Sequence, residues 1–174
     1  MRRARHQDEE SVSEFLAGLS MKSRHQRFFA PLHHVSPTLV REMVTVTPSR
    51  LVFLALDGDT VVGHMMAVRT GEHTVDVGVV VTDAYQCRGI GRQLVRELAQ
   101  ALDAFDYTQV CCDVLGENRL ALAWLRRLLP DLRLERSGST VIARGSLPRT
   151  LPDPRSGQLG AATTSHSSTC GRPA

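Results

Sequence analysis

The sequence predicts a mixed α/β fold in which one central sheet carries helices on both faces. Three features predict it. Apolar, β-branched-rich runs follow one another between Leu51 and Thr82; helical periodicity lies both before and after them; and a strand, a helix and a final hairpin close the chain.

Val12, Phe15, Leu16 and Leu19 recur at helical spacing behind a cluster of acids suited to a helix N-terminus, which predicts a first helix over Asp8 to Leu19. A second helix is expected from Ser36, a good N-cap with Pro37 at the first helical position, through Leu39, Val40 and Met43. The intervening Ser23 to Phe29 is assigned no element, and its phenylalanines are expected to pack in the core. Leu51 to Leu56 and Val61 to Val68 flank Asp57-Gly58-Asp59-Thr60, a strong tight-hairpin signal. Thr74 to Thr82 is nearly continuous valine, as for a central strand covered on both faces. Ile90, Leu94, Val95, Leu98 and Leu102 then mark a helix from about Ile90 to Ala104. Gln109 to Leu115 reads as a buried strand. Asn118 to Leu129 reads as a helix with Ala121, Trp124, Leu125 and Leu128 inward, ended by Pro130. Leu132 to Glu135 and Thr140 to Ala143 flank a Ser137-Gly138-Ser139 turn and predict the last hairpin. One domain over residues 1–147 is expected. Residues 148–174 are Pro, Gly, Ser, Thr and Ala with few large apolar side chains, so a disordered tail is expected there.

Composition narrows the function classes. With 42% hydrophobic and 22% charged residues, the 174-residue chain has an ordinary soluble balance, and no run approaches membrane-spanning length. The net charge of +3 forms no long stripe suited to a nucleic-acid backbone, so no nucleic-acid partner is expected. Cys87, Cys111, Cys112 and Cys170 show no metal or disulfide spacing, and His33 and His34 lack a third ligand at a suitable interval. No metal is expected. With no apolar stretch behind Met1 to Glu10, a reduced, cytoplasmic protein is the expectation.

The informative segment is Val79-Val80-Val81-Thr82-Asp83-Ala84-Tyr85-Gln86-Cys87-Arg88-Gly89-Ile90-Gly91-Arg92. It joins a valine strand to an amphipathic helix through two glycines one residue apart. Without Cβ atoms the backbone can approach an anion closely, and the first helical amides offer unpaired donors at the positive end of the helix dipole. Arg88 and Arg92 add charge beside the same place. The dinucleotide fingerprint is excluded because Leu94 stands at its third glycine, and the nucleotide P-loop because no Gly-Lys-Ser/Thr ending follows.

What remains is Gln-x-x-Gly-x-Gly directly after a valine-rich strand. Gln86, Gly89 and Gly91, with Val79 to Val81, resemble the acyl-CoA signature of the GNAT superfamily of N-acetyltransferases, and the order of elements over residues 8 to 146 is similar to that fold. The resemblance implies a mainly antiparallel sheet whose first strand, with Arg3-Ala4-Arg5 so close to Met1, is cut short. It implies acetyl-CoA as co-substrate, held by Val79 and Val81 along the pantetheine arm and by Gln86, Cys87, Arg88, Gly89, Ile90, Gly91 and Arg92 at the pyrophosphate, with Asn118 as a further contact. A bulge in the valine strand is expected to splay it from its neighbour. The segment Leu19 to Phe29 and the following Ser36-Pro37 helix resemble the opening of the GNAT domains of bacterial protein-lysine acetyltransferases, which implies a protein lysine as acceptor.

An ammonium must lose a proton before it attacks a thioester, so a base is needed. In the resembling group an acid ten residues before the signature glutamine serves, and here that residue is Asp76, one methylene shorter than the usual glutamate and suited to act through a water. Asp113 and Glu117 are the alternatives. The family position for a tyrosine that protonates the thiolate holds Leu125, next to Trp124, which leaves water as donor; amides of the Val79 to Val81 strand are the candidates for the oxyanion. Cys87 stands where relatives often carry glycine. Two other readings stay open at this point: a non-catalytic acyl-CoA-binding module, and an acetyltransferase of small-molecule amines.

Overall fold

The computed structural model describes residues 1–30, 33–102 and 107–146. Its strands are β1 (Arg2–Arg3), β2 (Arg50–Asp57), β3 (Thr60–Arg69), β4 (Thr74–Val81), β5 (Gln109–Leu115), β6 (Arg133–Ser137) and β7 (Thr140–Ser146). They form one seven-stranded sheet in the order β1-β2-β3-β4-β5-β7-β6. Every neighbouring pair is antiparallel except β4 with β5. The helices are α1 (Glu9–Gly18), α2 (Met21–Phe28), α3 (Pro37–Val44), α4 (Ile90–Leu102) and α5 (Arg119–Leu128).

Alternation along the strands divides the core in two. On one face Phe53, Met65, Val75 and Val110 pack with Leu94 and Leu98 of α4 and Leu122, Leu125 and Leu128 of α5. On the other face Val52, Leu54 and Val80 pack with Val12, Phe15 and Leu16 of α1 and Val40, Met43 and Val44 of α3. The sheet is therefore covered by helices on both sides, as its sequence predicts.

Local chemistry explains most of the boundaries. Gly58 at φ +58° makes the β2–β3 turn, and Ser36 Oγ accepts from Leu39 N–H with Pro37 at the first helical position of α3. The short first strand is there: Arg2 pairs with Leu54 and Arg3 with Phe53. Asp8 does not sit in α1 as expected. Its buried carboxylate accepts from the Arg2 guanidinium at 2.6 and 2.7 Å and from Arg5 N–H at 2.7 Å, tying the chain start to the entry of α1.

One unassigned segment gains its structure and three expectations are corrected. Residues 21–28 form a helix that no apolar period announces. It is capped by Ser20 Oγ, which accepts from Ser23 N–H, and ends at Phe29 in the left-handed conformation. Phe28 is half-buried, but Phe29 is 39% exposed instead of packed in the core. On α5 it is Leu122 that points fully inward, whereas Ala121 and Trp124 are only partly covered. The last hairpin runs longer than predicted, with every residue of β6 exposed. The expected end of α4 at Ala104 and the tail over 148–174 fall outside the described residues.

Candidate active site

β4 and β5 pair over only three positions, Thr74 with Gln109, Val75 with Val110 and Asp76 with Cys111. β4 nevertheless stays paired with β3 as far as Val81, and β5 with β7 as far as Leu115. Past Asp76 the two strands therefore part, and the β4 backbone from Val77 to Val81 has no strand on that side. No bulge opens this gap, contrary to expectation. The β3–β4 register runs unshifted from Val75 to Val81, and among the described strands the shift lies in β2 at Ala55/Leu56. β5 diverges because it follows β7 along its whole length.

A cavity of about 160 Å³ fills the parting and reaches both faces of the sheet. Val77, Val79, Asn118 and Trp124 line it on the side of α4 and α5, and Arg27, Asp76, Gly78 and Asp113 on the side of α2. This is also why β4 is not buried throughout as its valines predict: Val75 and Val80 are covered, but Val77, Val79 and Val81 are half-exposed beside the gap.

The turn expected to hold an anion leads from β4 into α4. A 3₁₀ turn over Asp83–Tyr85 is followed by Cys87 at φ +59°, Gly89 at φ +82°, and the helix from Ile90. The first backbone bond into α4 runs from Gln93 N–H to the Gly89 carbonyl. The amides of Ile90, Gly91 and Arg92 point from the mouth of the helix with no backbone acceptor among the described residues. Gly89 needs its glycine for conformation. Gly91 does not: an added Cβ there would meet only Trp124 Cζ2, at 3.7 Å, so nothing in the protein itself requires a bare backbone at that point.

The side chains of this turn are partly committed. Gln86 Nε2 donates to the Val81 carbonyl at 3.0 Å and to Ser23 Oγ at 3.3 Å, so the signature glutamine braces the turn against α2. Asp83 accepts from Ser20 N–H and Oγ–H and from Ser23 Oγ–H. Burial pushes the Asp83 carboxyl up, but these hydrogen bonds prevail and hold it below the ordinary carboxylate range. Arg88 lies 5.1 Å over the Tyr85 ring, and the Tyr85 hydroxyl donates to Asp57 at 2.7 Å. Arg92 Nε is enclosed without a hydrogen-bond partner among the described residues. Asn118 Oδ1 accepts from Ala121 N–H and caps α5, leaving its amide nitrogen for other contacts.

Asp76, Cys111 and Asp113 share the sheet face below α2, since Asp76 is paired with Cys111 and Asp113 follows two residues on. Solvent reaches Asp76 from one side while protein crowds the other. Desolvation, then the nearby Asp113, push its carboxyl above the usual range, and Arg27 pulls it back. Cys112 points to the opposite face; burial pushes its thiol up to about 12, which keeps it protonated and unreactive. Leu125, at the family's tyrosine position, is buried in the cavity wall. Sequence reasoning missed Gln26, Arg27 and Phe29, which α2 delivers to the cavity. The signal available was their place in the segment Leu19 to Phe29.

The sequence model of the acetyltransferase (GNAT) family matches residues 19–129. The chain belongs to that family of acyl-transferring enzymes, whose members use acetyl-CoA. Solved structures share the fold. The GNAT domain of S. lividans PAT superposes with a TM-score of 0.78 at 21% identity, covering 84% of this chain and 89% of that one. An acetyltransferase from Thermus thermophilus gives 0.66 at 20%, covering 84% and 96%. The PaiA N-acetyltransferase from Thermoplasma acidophilum, solved in complex with coenzyme A, gives 0.68 at 13%, covering 83% and 96%. No curated protein sequence matches the chain. No helix among the described residues is long and apolar enough to cross a membrane.

Proposed function

We propose that this protein transfers the acetyl group of acetyl-CoA to a primary amine, with a protein lysine as the acceptor and Asp76 as the general base. One observation carries the reading: the parting of β4 from β5 makes a passage through the sheet with different chemistry at its two ends. At the α4 end, a bare strand edge at Val79 and Val81 can pair with an amide-bearing arm. The turn from Gln86 through Cys87, Arg88 and Gly89 to Ile90, Gly91 and Arg92 offers unpaired amides and cations to a diphosphate. Asn118 stands across the gap. At the α2 end lie carboxylates, suited to an incoming ammonium.

In this proposal the acceptor enters beside α2, and Asp76 takes a proton from its ammonium, directly or through one water. The neutral amine attacks the thioester carbonyl, and strand amides near Val79 stabilise the oxyanion. Collapse expels the coenzyme thiolate and leaves an amide. Water protonates the thiolate, because Leu125 has no proton to give and Tyr85 is engaged with Asp57. The raised proton affinity of Asp76 makes it a stronger base than an ordinary carboxylate. The acceptor mouth is flanked by exposed Phe29, which also lines a second hollow with His25, Glu117 and Arg136, room for the chain around a lysine. The catalytic unit spans residues 1–147, and the cytoplasm is its proposed location.

Thiol release from acetyl-CoA, measured across peptide lysines, polyamines and aminoglycosides, tests the acceptor. Asp76→Asn is expected to lower turnover by about 100-fold or more while calorimetry shows an unchanged affinity for coenzyme A. Equal turnover in variant and parent refutes Asp76 as base, and release with every amine except peptides refutes the lysine acceptor.

A further inference from the structure

Arg27 enters the cavity from α2 in an unusual setting. Its guanidinium lies over Gly78 of β4: a Cβ added at that glycine would stand 2.5 Å from Cζ and 2.6 and 2.8 Å from the two terminal nitrogens. Gly78 has no positive φ, so its missing side chain serves space and not conformation. The Phe28 ring, 5.3 Å from Arg27 Cζ, backs the cation, and Nε is enclosed with no hydrogen-bond partner among the described residues. A cation whose head is enclosed in this way, on a residue that is only half-buried as a whole, ordinarily has a carboxylate in contact with it. Here no ion pair is formed with any described residue, and the carboxylate that feels the charge, Asp76, stands two residues from Gly78 on the same face of β4 and lines the same cavity.

We propose that Arg27 is a positioning residue for acetyl transfer: its guanidinium, seated over Gly78 in the cavity, sets the charge state of Asp76 against the opposing charge of Asp113. This rests on the reading of Asp76 as the base. The groups that face Asp76 are few. α2 contributes Arg27, β5 contributes Cys111 and Asp113, and β3 contributes only the apolar Val68 opposite it in register. Arg144 on β7 is opposite Cys111 in register, acts on that thiol, and shares its charge with Glu135 at 2.7 Å. Burial first, and then Asp113, favour the protonated form of Asp76, which cannot accept a proton. Arg27 opposes this without bonding the carboxylate, which stays available to the substrate amine. An ion pair in contact would occupy the lone pairs that the base needs.

The test is the acid limb of the pH dependence of kcat/KM for the preferred amine, with coenzyme A affinity measured alongside. Arg27→Gln is expected to move the limb to higher pH by about half a unit or more, Arg27→Lys to return it most of the way, and Asp113→Asn to move it to lower pH. Gly78→Ala keeps all charges but displaces the guanidinium, and moves the limb the same way as Arg27→Gln by less. Coenzyme A affinity stays within about twofold throughout, because its site is at the other end of the passage. If Arg27→Gln does not fold, Gly78→Ala and Asp113→Asn still decide the matter by their opposite signs. A limb that stays in place in these variants, or moves in the reverse direction, overturns the role of Arg27. Failure of the base reading looks different: there Asp76→Asn itself retains the parent's turnover.

Discussion

Cys87 is an instructive single residue. Its backbone has φ +59°, the left-handed region that favours glycine. A side chain in that conformation costs about 1 kcal/mol relative to glycine. The thiol is free and exposed. Cys87→Gly is therefore expected to raise stability by up to roughly 0.5 kcal/mol, the strain relief being reduced by the greater freedom of glycine in the unfolded chain. Thermal unfolding of the two proteins measures it; a variant that melts lower than the parent would show that the thiol makes a stabilising contact. The same scale shows what sequence alone could not assign. The motif points to Gln86 as a ligand contact, and only the folded turn reveals that its Nε2 also braces Val81 and Ser23.

At the level of elements, strands and amphipathic helices were legible because burial imposes a period, and the periods of β2, β3, α4 and α5 are strong. α2 was not. Met21–Phe28 is largely polar and is held by end-capping and by the bonds from Ser20 and Ser23 to Asp83, contacts spanning some sixty residues that no local window contains. The parting of β4 from β5 is equally non-local, because it depends on how far each strand follows its other neighbour. The mouth of α4 was legible from two glycines, and it supports a test that separates ligand from fold. Gly91→Ala adds a methyl group that the protein can accommodate beside Trp124 and that favours the helix. Stability should stay level or rise slightly. Coenzyme A affinity should fall about tenfold, near 1.4 kcal/mol, if a diphosphate lies against this backbone. Unchanged affinity would place the diphosphate elsewhere.

For the molecule as a whole, one histidine links the sheet to the helical layer and limits the acid range of the fold. His64 is fully buried at the centre of β3, and its Nε2 lies 2.7 Å from the Met43 carbonyl at the end of α3. Since a carbonyl only accepts, Nε2 carries the proton and Nδ1 is left enclosed without a partner among the described residues. Burial first, then the charge of Arg27, hold the imidazole neutral down to about 4, although its bond to Met43 works the other way. In the unfolded chain the ring takes up its proton near pH 6.5. Between these values the unfolded state binds a proton that the native state refuses, so stability falls as pH is lowered from about 6.5 to about 4, by roughly 3 kcal/mol in all. Asp8 acts in a separate window. Its pairing with Arg2 lowers its proton affinity, and the stability that it contributes is lost only as pH falls below the ordinary carboxylate range. Urea unfolding at pH 7.5, 6.0 and 5.0 should show the decline in the parent. His64→Gln can keep the donor to Met43 but has no proton to gain, so its stability should be nearly level across the same range. Parallel declines in the two proteins would mean that the acid sensitivity arises outside this buried contact between β3 and α3.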